Sequence, residues 1–110
     1  MEHSSAPPIC TARACLERHE GQVIKVQGAY LFPKQRAFAV NKLVLEDDTT
    51  VVLSPPDTAL RDQFNRDNDG VTMRIRGRIF TGPIPDAYQI VGRTAEPYLL
   101  DVDAIETIGR

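Results

Sequence analysis

Cys10, Cys15 and His19 are the residues of this chain best equipped for covalent or metal chemistry. Cys15 and His19 stand four apart, so a helix would carry both on one face. Two thiols and an imidazole can ligate zinc, and His3 offers a fourth donor upstream. The spacing argues against such a site. Cys10-x4-Cys15 is not a common zinc spacing, and His3 falls in a lead-in that runs into Pro7-Pro8. Nor does a third residue or an oxyanion donor accompany Cys15 and His19 to make a nucleophilic pair. Both thiols are therefore expected to pack as small buried hydrophobes, with no metal and no cofactor. Asp67-Asn68-Asp69-Gly70 has the start of a calcium loop, but Val71-Thr72-Met73 begins a strand where the remaining ligands should follow. It is read as a turn.

Cations and aromatics interleave in two stretches. Tyr30, Phe32, Lys34, Arg36 and Phe38 form one; Phe80, Tyr88 and Arg93 form the other. Such mixtures hold single-stranded nucleic acid, with bases stacked on rings at about 1–3 kcal/mol each and cations tracking the phosphates. The chain has only four Phe, three Tyr and no Trp, and its core needs most of them. Phe32, Phe38 and Phe80 are expected to pack inside. Tyr30 and Tyr88 are expected nearer the surface, because their hydroxyls need water or a partner.

A further group is the row Arg74, Arg76 and Arg78, which alternates with Met73, Ile75 and Gly77 as one face of a strand does. Lys25 joins this row if the two strands pair. Four cations in a stripe can take phosphate or an acidic protein; Asp101 and Asp103 can equally neutralise them. Gly82-Pro83-Ile84-Pro85-Asp86-Ala87-Tyr88 is not a phosphate cradle, since the prolines remove N–H groups that a cradle supplies. It is a stiffened loop. It either presents Ile84 and Tyr88 to a protein or folds back over the body of the domain.

The elements that must position these residues follow from periodicity and breakers. Ile9, Ala12 and Leu16 predict a short helix over residues 9–18, stopped near Gly21. A first strand spans about 22–32, with Ile24, Val26 and Gly28 as its inner row and Val23, Lys25 and Gln27 outside. A second runs 36–46 and a third 50–53, ended by Ser54-Pro55-Pro56. Asp57 caps a helix over about 58–66 with Ala59, Leu60 and Phe64 as its stripe. The fourth strand is 71–80. An irregular, proline-rich segment covers 81–97, and the last strand, about 98–105, is expected to place Leu100, Val102 and Ala104 on one face.

At 110 residues, 42% apolar and 25% charged, this is ordinary composition for one small globular domain. Residues 1–8 read as a flexible lead-in and 9–110 as the domain. The net charge of -2 provides no global positive field for nucleic acid or anionic membrane. No apolar run approaches the roughly 18 residues of a membrane span. The first residues have neither a basic n-region nor an apolar h-region, so the cytoplasm is the expected compartment. A periplasmic or secreted location would follow if a signal had been trimmed.

Strand, strand, strand, helix, strand, strand resembles the OB-fold, a five-stranded Greek-key barrel. The spacing Gly21 to Gly28, repeated at Gly70 to Gly77, resembles small OB domains of the tRNA-anticodon-binding-like and single-strand-binding type. The resemblance implies an all-β barrel with a short N-terminal helix and a helix between strands three and four. An SH3-like barrel is the competing shape, and the helix over 58–66 argues against it. The resemblance also implies a binding module whose site lies on strands two and three, framed by the loops joining strands one to two and four to five. On this chain those loops supply Tyr30, Lys34, Arg36, Ile84, Tyr88 and Arg93, with Lys25, Arg74, Arg76 and Arg78 as a secondary basic patch. No catalytic constellation accompanies them, so a non-enzymatic role is expected. A protein partner, as for an adaptor, inhibitor or immunity-type protein, is the leading expectation. Single-stranded DNA or RNA at the same loops is the alternative.

Overall fold

The computed structural model describes residues 6–33, 40–54, 58–90 and 94–109. Its elements in chain order are β1 (Ile9–Cys10), α1 (Arg13–Arg18), β2 (Val23–Leu31), β3 (Asn41–Val44), β4 (Thr50–Leu53), α2 (Thr58–Arg61), β5 (Thr72–Phe80) and β6 (Tyr98–Gly109), with single 3-10 turns at Arg66–Asn68 and Asp86–Tyr88. The strands close in the order β2-β3-β4-β6-β5-β2. Every pairing round this ring is antiparallel except β4 with β6. This is the all-β, five-stranded Greek-key barrel expected, with one additional strand.

β2 is the hub because it is long enough to serve three neighbours. Along one edge it pairs with β5 from Val23 to Ala29. Along the other, β3 joins only at Ala29–Leu31. That leaves the backbone at Lys25 and Val26 without a partner, and buried N–H groups must find one. β1 supplies it in parallel, Ile9 opposite Lys25 and Cys10 opposite Val26, and the Lys25 N–H donates to the Pro8 carbonyl at 2.9 Å. The helix expected from Ile9 onward therefore starts only at Arg13. Its open N-terminus is met by Asp47 in the β3–β4 turn, which accepts the Arg13 N–H at 3.0 Å. That bond holds the Asp47 carboxyl below its ordinary range.

The inner rows of β2 and β5 meet as the alternation requires. Ile24, Val26, Tyr30, Met73, Ile75 and Ile79 are buried in one cluster with Leu16, Leu43, Val51 and Leu99. A second, smaller cluster lies on the outer side of the barrel, where Val52, Phe80, Tyr98 and Leu100 are covered by Ile84, Tyr88 and Ile90.

Several expected boundaries move. The second strand is Asn41–Val44; residues 34–39 lie outside the described residues, as does the expected cap Asp57. The second helix ends at Arg61, where a turn follows instead of a further helical turn. The last strand continues to Gly109. The expectation that Leu100 and Val102 share a face is also corrected. Asp101 sits at φ 54°, beside a register shift between Arg76 and Arg78. The irregularity reverses the alternation, so Leu99 and Val102 join the inner cluster while Leu100 joins the outer one. Cys10 and Cys15, expected to pack as small buried hydrophobes, form a disulfide with a Cα–Cα separation of 5.4 Å, and only Cys10 is fully buried. The β1 pairing is what brings Cys10 back beside α1.

Candidate functional site

The face expected to bind is the outer side of β3 and β4. Cross-strand register builds it as a row running round the barrel: Leu31 opposite Lys42, Lys42 opposite Val52, Val52 opposite Tyr98. A second row sets Ala29 opposite Val44 and Val44 opposite Thr50. Leu31 is 38% exposed and Val40 43%, so apolar side chains flank Lys42 at the root of the β2–β3 connection. Lys42 is the one cation these rows contribute. Its ammonium donates to Glu96 at 3.3 Å, and Glu96 in turn accepts the Thr94 hydroxyl at 2.8 Å. The Thr94 N–H donates to the Tyr98 hydroxyl oxygen at 3.0 Å. These bonds tie the end of the β5–β6 connection to the edge of the face.

The expected site residues divide into three groups. Lys34, Arg36 and Arg93 lie outside the described residues. Tyr30 is a correction to the expected exposure: it is 1% exposed, stacked on Phe64 with centroids 5.3 Å apart and planes 10° apart. Its hydroxyl donates to Asn41 Oδ1, so the partner a buried phenol needs is inside the protein. Ile84 and Tyr88 form the third group. Their loop folds back, and both pack on the outer cluster. The Tyr88 ring meets Phe80 edge-on at 5.5 Å, and its hydroxyl donates to Asp101 Oδ2 at 2.7 Å. That bond keeps the Tyr88 proton on above its ordinary range.

Glu20 fastens the start of this loop. One carboxylate oxygen accepts the Thr81 N–H at 2.8 Å and the Thr81 hydroxyl, and the other accepts the Gly82 N–H at 3.2 Å. Nothing in the sequence pattern marks Glu20, since its partners are some sixty residues away. Glu20→Ala is expected to cost about 1 kcal/mol, the scale of an exposed hydrogen-bonded carboxylate. It should also raise amide exchange at Thr81 and Gly82 while leaving β2 protected. Unchanged exchange at both amides would show that the loop is held without Glu20.

The secondary basic row does come together. Lys25 lies opposite Arg76 and Gln27 opposite Arg74. Each arginine is already engaged: Arg74 donates to Gln27 at 3.0 Å and to Glu106 at 3.4 Å, Arg76 to Asp103 at 2.7 Å, and Arg78 to the Gly21 carbonyl at 2.7 Å. Asp103 therefore neutralises as expected, whereas Asp101 serves Tyr88. Lys25 has no acidic partner among the described residues. Exposed pairs of this kind contribute little stability, about 0–1 kcal/mol, but they reduce the net positive field that phosphate would meet.

Against known proteins, no family model and no curated sequence matches this chain. Among solved structures it is similar to a chain reported as an aspartyl-tRNA synthetase from Leishmania major Friedlin. The TM-score is 0.58 at 11% identity, covering 98% of this chain and 22% of that one. The fold is OB-like. At this identity the likeness concerns the fold alone, and this chain spans about a fifth of the length of the synthetase chain. Among the described residues, no helix is long and apolar enough to cross a membrane.

Proposed function

We propose that this chain is a non-catalytic binding module that engages a protein partner on the outer face of β3 and β4. The observation that carries this reading is the use of the aromatics. Tyr30, Phe32, Phe64, Phe80, Tyr88 and Tyr98 are all packed into the inner or outer cluster. Phe32 is further covered by Arg66, 5.9 Å from its centroid. Among the described residues no aromatic platform is left for bases to stack on. Exposed Leu31 and Val40 around an ion-paired Lys42 suit a protein interface, apolar within and polar at the rim.

Single-stranded nucleic acid is the second reading. It is supported by Lys34 and Arg36 in the β2–β3 connection, and by an OB-like fold that is also found in a tRNA synthetase chain. The two readings separate in one titration. A labelled single-stranded oligonucleotide at low salt is expected to bind weakly or not at all. Tight binding that falls steeply with salt would reverse the ranking. In that case Lys34→Ala and Arg36→Ala should weaken it more than Arg76→Ala if the loop is the site, and less if the β5 row is. For the protein reading, a photo-crosslinking side chain at Thr50 should give a discrete protein adduct in the native cell that Leu31→Asp removes. Adducts to nucleic acid, or the same adducts from a probe at Thr107, would refute it. The Cys10–Cys15 disulfide favours an oxidising compartment over the expected cytoplasm.

A further inference from the structure

Cys10, Cys15 and His19 lie closer together than their spacing suggested. Their candidate donor atoms all fall within 4.8 Å of one another. His19 Nδ1 stands 3.9 Å from each sulfur. Two local geometries produce this: α1 carries Cys15 and its C-cap His19 folds back onto the Cys15 carbonyl, and the parallel β1–β2 pairing returns Cys10 to the same place. We propose that the reduced chain binds one thiophilic divalent ion, zinc in the first instance, through Cys10, Cys15 and His19, and that the disulfide and the metal site are mutually exclusive states of the same side chains.

The distances support the ligand set. With Zn–S near 2.3 Å and Zn–N near 2.0–2.1 Å in a tetrahedron, sulfur and nitrogen should stand about 3.5 Å apart. The two observed sulfur–nitrogen separations are within a few tenths of that, whereas the sulfurs, bonded to one another here, must part to about 3.8 Å on reduction. The sulfurs must be thiolates to ligate, so the disulfide must first be cleaved. A dithiol or phosphine reductant supplies two electrons, the S–S bond breaks to two thiols, and the reductant is oxidised. Metal binding then releases the two thiol protons. His19 Nδ1 donates to the Cys15 carbonyl at 2.9 Å in the disulfide state. Ligation through Nδ1 replaces that bond and moves the ring proton to Nε2. Cys10 is fully buried, while Cys15 and His19 are part exposed. The ion thus has a route in, and water can fill the fourth position.

The test is an anaerobic titration of the full chain with Co²⁺ after phosphine reduction, followed by absorption and far-ultraviolet circular dichroism. The reduced chain should take up one equivalent with a sulfur-to-cobalt charge-transfer band, and Zn²⁺ should displace it. The oxidised chain and Cys10→Ser/Cys15→Ser should show no band. His19→Ala should keep the band but bind about tenfold more weakly or worse and lose the tetrahedral ligand-field pattern. An absent band in the reduced chain, or His19→Ala indistinguishable from the parent, would overturn the proposal. If reduction unfolds the chain, recovery of the strand signal on adding Zn²⁺ supports the site. Binding without refolding refutes it, because an unfolded dithiol needs no built site.

Discussion

Tyr30→Ala is expected to cost this domain a large share of its stability. The ring is buried against Phe64, the hydroxyl serves Asn41, and the backbone is clamped on both sides: the Tyr30 N–H donates to Val71 and its carbonyl accepts from Gly70. Removing a buried aromatic to Ala costs about 3–5 kcal/mol, against about 5–15 kcal/mol for the whole stability of a typical domain. Urea melts should show the midpoint falling by that share. Tyr30→Phe keeps the stack and should lose only about 1 kcal/mol. A Tyr30→Ala variant as stable as the parent would put the ring at the surface after all. The phenol also carries a pH signature. Burial first, and the Asp69 charge second, hold its proton on well above the ordinary value of 10.0. A folded value above the unfolded one means the contribution is intact below pH 10 and fades as pH rises through the folded value. The parent should therefore lose stability on the alkaline side of 10 more steeply than Tyr30→Phe. It also follows that weakened ligand binding in Tyr30→Ala would say nothing about the site.

The misplacement of Tyr30 shows what was legible and what was not. The alternation that puts Ile24, Val26 and Gly28 inside carries Tyr30 inside by the same parity. The expected exposure set the hydroxyl's need for a partner above that parity, and the partner, Asn41, comes from the neighbouring strand. The barrel itself was readable because β2 and β5 alternate without interruption and share one glycine spacing. β1 was not, because two residues carry no period and their pairing answers a vacancy on β2 that only the assembled sheet creates. The bulge at Asp101 was hidden for a similar reason: apolar residues at 98, 99 and 100 fit either face until the register with β5 is fixed. For the candidate site, the arginine row was legible as a row and Asp103 as its counterion. The folding back of the 81–90 loop was not, since it depends on Glu20 and Asp101, whose partners are distant in sequence.

The cysteine cluster illustrates the same limit from the side of chemistry. Ligand spacing rules describe sites in which one local turn supplies two donors. Here one donor comes from a strand, one from a helix and one from the cap of that helix, so the spacing between Cys10 and Cys15 does not follow a single-turn ligand rule. What brings them together is the hydrogen bonding of Pro8 and Ile9–Cys10 along β2, and the disulfide then fixes the distance. Once the disulfide is reduced, loss of that edge pairing would free Cys10 to part from Cys15 and His19 without altering any of the three.

Gly77→Ala is the second large effect expected, and Gly28→Ala should match it. Space is the reason, because neither residue has the positive φ that favours glycine. A Cβ at Gly77 would stand 2.6 Å from the Leu100 carbonyl oxygen and 2.9 Å from Leu99 Cγ. At Gly28 it would stand 2.6 Å from the Val44 carbonyl oxygen and 2.9 Å from Leu45 Cδ2. In each case the nearest atom is backbone of a paired strand, which can retreat only by opening the ladder. Gly77 lies in the register shift between β5 and β6, and Gly28 lies just before β2 takes up β3. The two glycines mark the places where the sheet crowds upon itself as it closes. Overpacking of this kind costs about 1–3 kcal/mol, and backbone contact puts both variants at the upper end. At about 4–8 °C per kcal/mol, the melting temperature should fall by roughly 10 °C or more. Gly82→Ala is the control: its Cβ would meet only Glu20 Oε2, at 3.9 Å, and should be silent. If Gly77→Ala melts with Gly82→Ala, the repeated glycine spacing is a coincidence of turns and β2 closes the barrel by another means.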